Sequence, residues 1–328
     1  MAWSVPRLCT FLRPCAPKCS SGENALGRDN HPAPSTHRTC PWLLLPLAML
    51  AIASQTAPAP AQEPPYFVTY SQALEEPGNL EAALKGLTAS PKDANAFFSP
   101  TLELEYGATA WWTTEVYLQW QATQNDSAVF TGFRWENRTR MLPTEHWINP
   151  VLYVEYEDIN GADKSILEVV GHDSEADLQG TNAVARREIE RELEGKLILS
   201  SSAGGWDFSE NFIAEKNLAN GPWEFGYAVG ASRPLTLVGG GRSCAFCRQN
   251  WSAGAEMYGG LATVHDFGLE NTSHYAGPTT NLRLPHGPSI GFSPQFGLND
   301  QSVGVLWRFE VSYEIQQLRD LLRGKGAQ

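Results

Sequence analysis

Three groups of residues in this chain could do chemistry: a cysteine pair, a few Ser/His/Asp fragments, and many glutamates and arginines spaced two apart. Cys244-Ala245-Phe246-Cys247 has the C-x-x-C spacing that serves redox exchange, metal ligation or haem attachment. Haem attachment requires a following His, and Arg248 stands there. A tetrahedral metal site requires two further ligands, and no nearby His or Cys is spaced to supply them. A thioredoxin-type site requires a βαβ setting, which the strand pattern described below excludes. The reading that remains is a disulfide between Cys244 and Cys247 closing the loop 234–250. Nucleophilic catalysis would need a Ser, a His and an orienting acid at one spot. The fragments on offer are His172-Asp173, His265-Asp266 and Ser273-His274. Neighbours on a strand point to opposite faces, so Ser273 and His274 cannot pair there. Hydrated loop residues are the plain reading of all three, with a lipid-hydrolysing enzyme as the alternative.

The charged residues are more organised. Glu103 and Glu105 share one strand face, as do Arg134, Glu136 and Arg138, and Glu155 and Glu157. With Glu115, Glu224, Glu256, Arg308 and Glu310 they form one expected set of inward, lumen-lining residues. Two roles fit such a set. One is a cross-strand ion-pair lattice that fills a narrow interior, since like charges placed directly opposite destabilise a sheet. The other is a polar conduit whose excess carboxylates favour cations or neutral polar solutes.

The elements that must carry these residues read as strands. In the last segment Val303, Val305, Trp307, Phe309, Val311, Tyr313 and Ile315 alternate with Gly304, Leu306, Arg308, Glu310, Ser312 and Glu314. One face is apolar and aromatic, and the other is polar except at Leu306. The same alternation runs through 112–121, 223–230, 251–261 and 289–298, with Trp112, Trp120, Trp223 and Trp251 near segment ends. Segments of about ten residues with this period and aromatic ends are the signature of a transmembrane antiparallel β-barrel. The stretch 188–200 is rich in Glu and Arg and could be a charged helix. Its Ile189, Leu193, Leu197 and Leu199 share parity against Glu188, Glu190, Glu192, Glu194 and Lys196, and the neighbouring segments decide for strand. Other strands are expected over 98–106, 128–140, 149–158, 206–216 and 273–283. The segments 66–73, 80–86 and 165–170 are ambiguous. Single-chain bacterial barrels have even strand numbers, so the expectation is 12 strands, with 14 as the alternative.

Composition agrees with an all-β barrel. Charged residues are 18 % and aromatics 11 % of the chain, with 11 Trp, where a soluble globular domain carries about 25 % charged residues. The apolar run 43–53, preceded by Arg38 and followed by Ala59-Pro60-Ala61, reads as a signal peptide cleaved near Ala61. Residues 1–61 are therefore expected to be an N-terminal extension plus leader, its first 40 residues reflecting an upstream start codon. Residues 62–315 are expected to be the barrel, and 316–328 a short amphipathic tail. The leader holds five of the 24 basic and two of the 36 acidic residues, leaving a barrel and tail of net charge −15. Such a surface repels phosphate backbones, so no nucleic-acid partner is expected. No cofactor or metal is expected either.

Glu103-Leu104-Glu105-Tyr106-Gly107-Ala108-Thr109, Asn149-Pro150-Val151-Leu152-Tyr153-Val154-Glu155-Tyr156, Ala214-Glu215-Lys216-Asn217-Leu218 and Trp223-Glu224-Phe225-Gly226-Tyr227 resemble bacterial outer-membrane barrels of the phenol meta-cleavage-pathway type and their uncharacterised relatives. The resemblance covers most of 66–315 as a strand pattern and brings no catalytic residues. It implies a barrel in the outer membrane of a Gram-negative bacterium that passes small hydrophobic or aromatic compounds. Its partners would be outer-membrane lipid, the barrel-insertion machinery and a small-molecule solute. This chain ends in Gly-Ala-Gln where many such barrels end in an aromatic residue, leaving Phe309, Val311 and Tyr313 to serve the insertion role internally. The competing readings are a plugged structural barrel, an outer-membrane hydrolase, and a soluble secreted β-sandwich that would bury the aromatic rows in a core. Counting strands back from a periplasmic C-terminus places the loop 234–250 on the periplasmic side and the stretch 171–186 outside.

Overall fold

The computed structural model describes residues 64–165, 170, 178–236, 244–285, 287–318 and 321. All belong to one compact unit, Ala53–Gln328. The leader, His172-Asp173, residues 166–169 and most of the tail lie outside the described residues.

Twelve antiparallel strands close into a barrel. They are β1 Leu80–Ala89, β2 Phe97–Thr109, β3 Trp112–Thr123, β4 Ala128–Arg140, β5 Asn149–Asn160, β6 Ile189–Ala203, β7 Trp206–Asn217, β8 Trp223–Pro234, β9 Trp251–Thr263, β10 His274–Arg283, β11 Ser289–Gly297 and β12 Val305–Ile315. Each pairs with its neighbours in sequence, and β1 closes on β12 with Leu80 opposite Ile315. An even count brings the start of β1 and the end of β12 to one rim, here called the terminal end; the opposite rim is the far end. The connection 204–205 at the terminal end is a two-residue turn whose glycines take φ of +60° and +81°, as a hairpin turn matched to strand twist requires.

The alternation decides which side chains face in. On β3, Thr113, Glu115, Tyr117, Gln119 and Gln121 are buried, while Val116 and Trp120 are exposed. Exposure of apolar residues recurs around the barrel, reaching 54 % for Phe212 and 50 % for Phe130, Trp135 and Val311. A β-sandwich would bury these side chains, so that competitor is excluded by the closed architecture. Ring pairs cross between neighbouring strands on this outer face, including Trp120–Phe130 at 5.4 Å and Phe292–Trp307 at 5.9 Å. The Glu-rich stretch 188–200 is strand, with Glu194 and Lys196 buried and Leu193 and Leu197 exposed. Arg191 lies on the outer face near the far rim, paired with Asp158 at 3.0 Å.

Of the ambiguous segments, 80–86 lies in β1. Residues 66–73 are not a strand but part of a loop that enters the barrel. Ser165 is a bend, and Val170 makes one isolated bridge to Gly226. The final strand begins at Val305 rather than near 302 because residues 298–304 turn, with Ser302 bonded to His274 and Asn299.

Candidate functional site in the barrel interior

All twelve residues expected to line the lumen stand on the inner side of the wall. Glu103, Glu115, Glu136, Arg138, Glu155, Glu157 and Glu256 are buried. Glu105 and Glu310 border a cavity at the terminal end, and Arg134, Glu224 and Arg308 one at the far end.

Their order is not that of a simple alternating lattice. Glu314 of β12 lies directly opposite Glu81 of β1, and Glu81 opposite Glu105 of β2. The row continues through Glu115 on β3, Glu136 on β4 and Glu155 on β5. It then passes to Glu194 on β6, Glu215 on β7 and Glu224 on β8. Nine glutamates on successive strands therefore form one ladder. Glu81 is second in β1, at the terminal rim, and Glu224 is second in β8, at the far rim. The ladder climbs from one rim to the other because closed barrels tilt and stagger their strands.

Like charges face each other directly, so the compensating cations come from the flanking rows. Arg138 reaches Glu136 at 2.7 Å and Glu115 at 3.3 Å, and also bonds Glu105. Arg134 reaches Glu155 at 3.1 Å, Lys196 reaches Glu194 at 2.8 Å, and Arg283 reaches Glu314 at 3.1 Å. Lys85 pairs with Glu103 and lies 3.9 Å from Glu310. The pairing runs along strands at Lys196–Glu194 and Arg138–Glu136 and diagonally between them at Arg134–Glu155 and Arg138–Glu115, a geometry the sequence alone does not reveal.

Residues 64–79 form a re-entrant loop, and the ambiguous segment 66–73 lies within it. The Tyr66 hydroxyl donates to the Asp207 carbonyl, 3.1 Å away near the terminal rim. Deeper in, the backbone N–H groups of Phe67, Val68 and Thr69 donate to the Glu256 carboxylate at 3.0–3.2 Å. Tyr70 exchanges two bonds with Asn211, its N–H donating at 2.6 Å and its carbonyl accepting at 2.9 Å. The loop then returns, with Arg140 donating to the Gln72 carbonyl and Arg138 to that of Ala73. No strand edge is free inside a closed barrel, so side chains satisfy this backbone. The wall is hollowed to receive the loop: a Cβ at Gly230 would lie 2.5 Å from the Tyr66 ring, and one at Gly291 would lie 3.0 Å from that of Phe67.

The apolar exceptions on the inner face mark where the loop docks. Val68 packs with Leu87, Ile213, Ala228, Tyr258, Tyr275 and Leu306, which explains the one apolar residue on the polar face of the last strand. Tyr70 and Leu74 pack against Val151, Tyr153 and Ile198. The Tyr70 hydroxyl donates to Glu136 at 2.9 Å, and Tyr117 donates to the same oxygen at 2.7 Å. Burial, reinforced by Glu136, Glu115 and Glu155, holds the Tyr70 phenol well above its ordinary range, so it remains a donor. Phe67, Tyr70, Lys85 and Tyr117 border both cavities, one of about 590 Å³ towards the terminal end and one of about 560 Å³ towards the far end. The aromatic density of Tyr66, Phe67 and Tyr70, between Pro64-Pro65 and Pro77-Gly78, was the available signal for a packed loop.

The remaining candidates stand apart from this interior. Cys244 and Cys247 form a disulfide with Cα atoms 5.4 Å apart. Asn250 donates to the carbonyls of Cys244 and Ala245 beside it. The His274 ring contacts Tyr227 at 3.1 Å, Thr272 at 2.9 Å and the Leu269 carbonyl at 3.2 Å. Among the described residues no imidazole joins a hydroxyl to a carboxylate.

No protein-family model matches the sequence, and none of the curated proteins matches it. Among solved structures, an outer-membrane channel from Pseudomonas putida F1 matches with a TM-score of 0.46 and 10 % identity over 74 % of this chain and 97 % of that one. The KdgM porin, solved with disordered oligogalacturonate, matches with a TM-score of 0.42 and 7 % identity over 72 % and 98 %. LpxR from Salmonella typhimurium matches with a TM-score of 0.36 and 9 % identity over 71 % and 99 %. At these identities the likeness is one of barrel fold alone.

Proposed function

We propose that the protein is an outer-membrane barrel of a Gram-negative bacterium that passes small polar solutes, favours cations, and is closed at rest by its own residues 64–78. The observation that carries this reading is the pair of charged cavities at opposite ends of the barrel, separated by that loop. An apolar outer belt on a closed barrel suits lipid, because closure leaves no unpaired strand edge. The loop is held by side-chain hydrogen bonds and modest apolar packing, not by sheet pairing, so it can leave without opening the wall. The glutamate ladder along the path favours cations and repels polyanions. The disulfide-bearing loop, on the same rim as both barrel termini, would face the periplasm.

Planar-bilayer recording tests the reading. The intact protein should conduct rarely and briefly, and a variant lacking residues 64–74 should conduct steadily with cation selectivity. Glu105→Gln combined with Glu155→Gln in that variant should reduce the selectivity. A folded deletion variant that stays electrically silent would overturn the channel reading in favour of a structural barrel.

A further inference from the structure

Two places on the inner wall bring three carboxylates together. One is Glu103, Glu105 and Glu115, the other Glu155, Glu157 and Glu194, and in each the carboxylate oxygens lie within 4.8 Å of one another. The two share a plan: two directly opposed ladder glutamates plus a third, two residues along one of the strands towards the far end. They differ in compensation. In the first, Lys85 pairs with Glu103 while Arg138 contacts both Glu105 and Glu115. In the second, Arg134 pairs with Glu155 and Lys196 with Glu194; Arg134 also stands directly opposite Glu157 in the register, yet among the described residues no Arg or Lys comes within ion-pair distance of that carboxylate. Glu157 is 2 % exposed and its Oε2 has no hydrogen-bond partner, and neither has Oε2 of the fully buried Glu155.

We propose that Glu155, Glu157 and Glu194 form a seat for one divalent, oxygen-preferring metal ion of the calcium type. Three buried carboxylates served by two cations keep one negative charge that a bound cation or a shared proton must neutralise, since an uncompensated buried charge costs several kcal/mol. Two oxygens bound to one Ca²⁺ at about 2.3–2.6 Å lie at most about 5.2 Å apart, which the observed spacing satisfies. All three groups are hard oxygen donors, with neither Cys nor His among them, so thiophilic metals are disfavoured. Glu157 and Glu194 border the far-end cavity, which gives a hydrated ion a route to the seat and room for the waters that complete its shell. The first triad also has two cations for three carboxylates, but each of its carboxylates takes part in an ion pair, whereas Glu157 takes part in none among the described residues. The site is independent of whether the barrel conducts.

Terbium luminescence tests the seat, with Tb³⁺ standing in for Ca²⁺ on chelator-stripped protein in zwitterionic detergent free of lipopolysaccharide. Buried Tyr153, two residues from Glu155 on the same inner face, supplies a sensitiser. Saturable luminescence that excess Ca²⁺ displaces is expected. Glu157→Gln should weaken Tb³⁺ binding at least tenfold, and Glu210→Gln on the outer face should leave it unchanged. Because Glu157→Gln removes charge without changing shape, it should keep the folded barrel's gel mobility. Ca²⁺ should raise the unfolding temperature of the unmodified protein by several degrees but not that of Glu157→Gln. Absence of saturable luminescence, or equal Tb³⁺ affinity in Glu157→Gln, would overturn the proposal. So would an unfolding temperature that follows pH and ignores Ca²⁺, which would mark a proton shared between carboxylates instead.

Discussion

Glu256 accepts three consecutive backbone N–H groups from Phe67, Val68 and Thr69, and the Gln295 amide donates to its other oxygen at 2.9 Å. Hydrogen bonds to a charged acceptor contribute roughly 1.5–3 kcal/mol each, so this one side chain is the strongest polar anchor of the loop. Glu256→Ala should leave the barrel closed, because no ladder hydrogen bond depends on the carboxylate, yet release residues 66–70. Chymotrypsin, which cleaves after Tyr66, Phe67 and Tyr70, reports the release. Cleavage in the variant should be at least tenfold faster than in the unmodified protein, and equal rates would mean the apolar contacts of Val68 suffice. That Glu256 points inward follows from alternation with Ala255 and Met257. That it meets the backbone of a segment 188 residues away does not, because nothing in β9 encodes the loop's position.

At the scale of the strand, each element presents two environments, and β6 shows the contrast best. Glu190, Glu192, Glu194 and Lys196 face the interior while Leu193 and Leu197 face out. An outward arginine is tolerated at position 191, near the rim and paired with Asp158. At mid-strand the same residue would meet the hydrocarbon centre, where an Arg on the lipid face costs about 2–4 kcal/mol. Leu197→Arg should therefore lower the yield of folded, heat-modifiable barrel and its unfolding temperature in bilayers, whereas Leu197→Phe should not. Equal tolerance of both substitutions would argue that this face does not meet lipid. The helix-like composition of β6 misleads only when charge is weighed above parity. Apolar residues four apart satisfy both periods, and the partners Leu152 and Phe212 across the sheet settle the choice.

For the whole molecule, twelve strands put loop 235–250, with its Cys244–Cys247 disulfide, on the rim that holds both barrel termini. The long connection between β5 and β6 leaves and rejoins the wall at the far rim, where the external loops of such barrels are usually long, and its described residues Asp163, Lys164 and Val170 are buried. A bulky membrane-impermeant thiol reagent applied to intact cells after reduction should leave both cysteines unlabelled, and permeabilised cells should label both. Prompt labelling from outside would invert the orientation. By itself the sequence determined that the chain is made of half-exposed strands and which residues on each face in. Those properties are local, since a strand's side chains alternate wherever it is placed. Only the tertiary structure decided that nine glutamates align in one ladder, because register depends on the stagger with which all the strands close. It alone placed residues 64–79 inside, because a segment without a strand partner carries no period to read. The hollows at Gly230 and Gly291, the ion pairs of Arg138 with Glu105 and Glu115, and the absence of an ion pair at Glu157 arise from that closure, which brings together residues far apart in the chain.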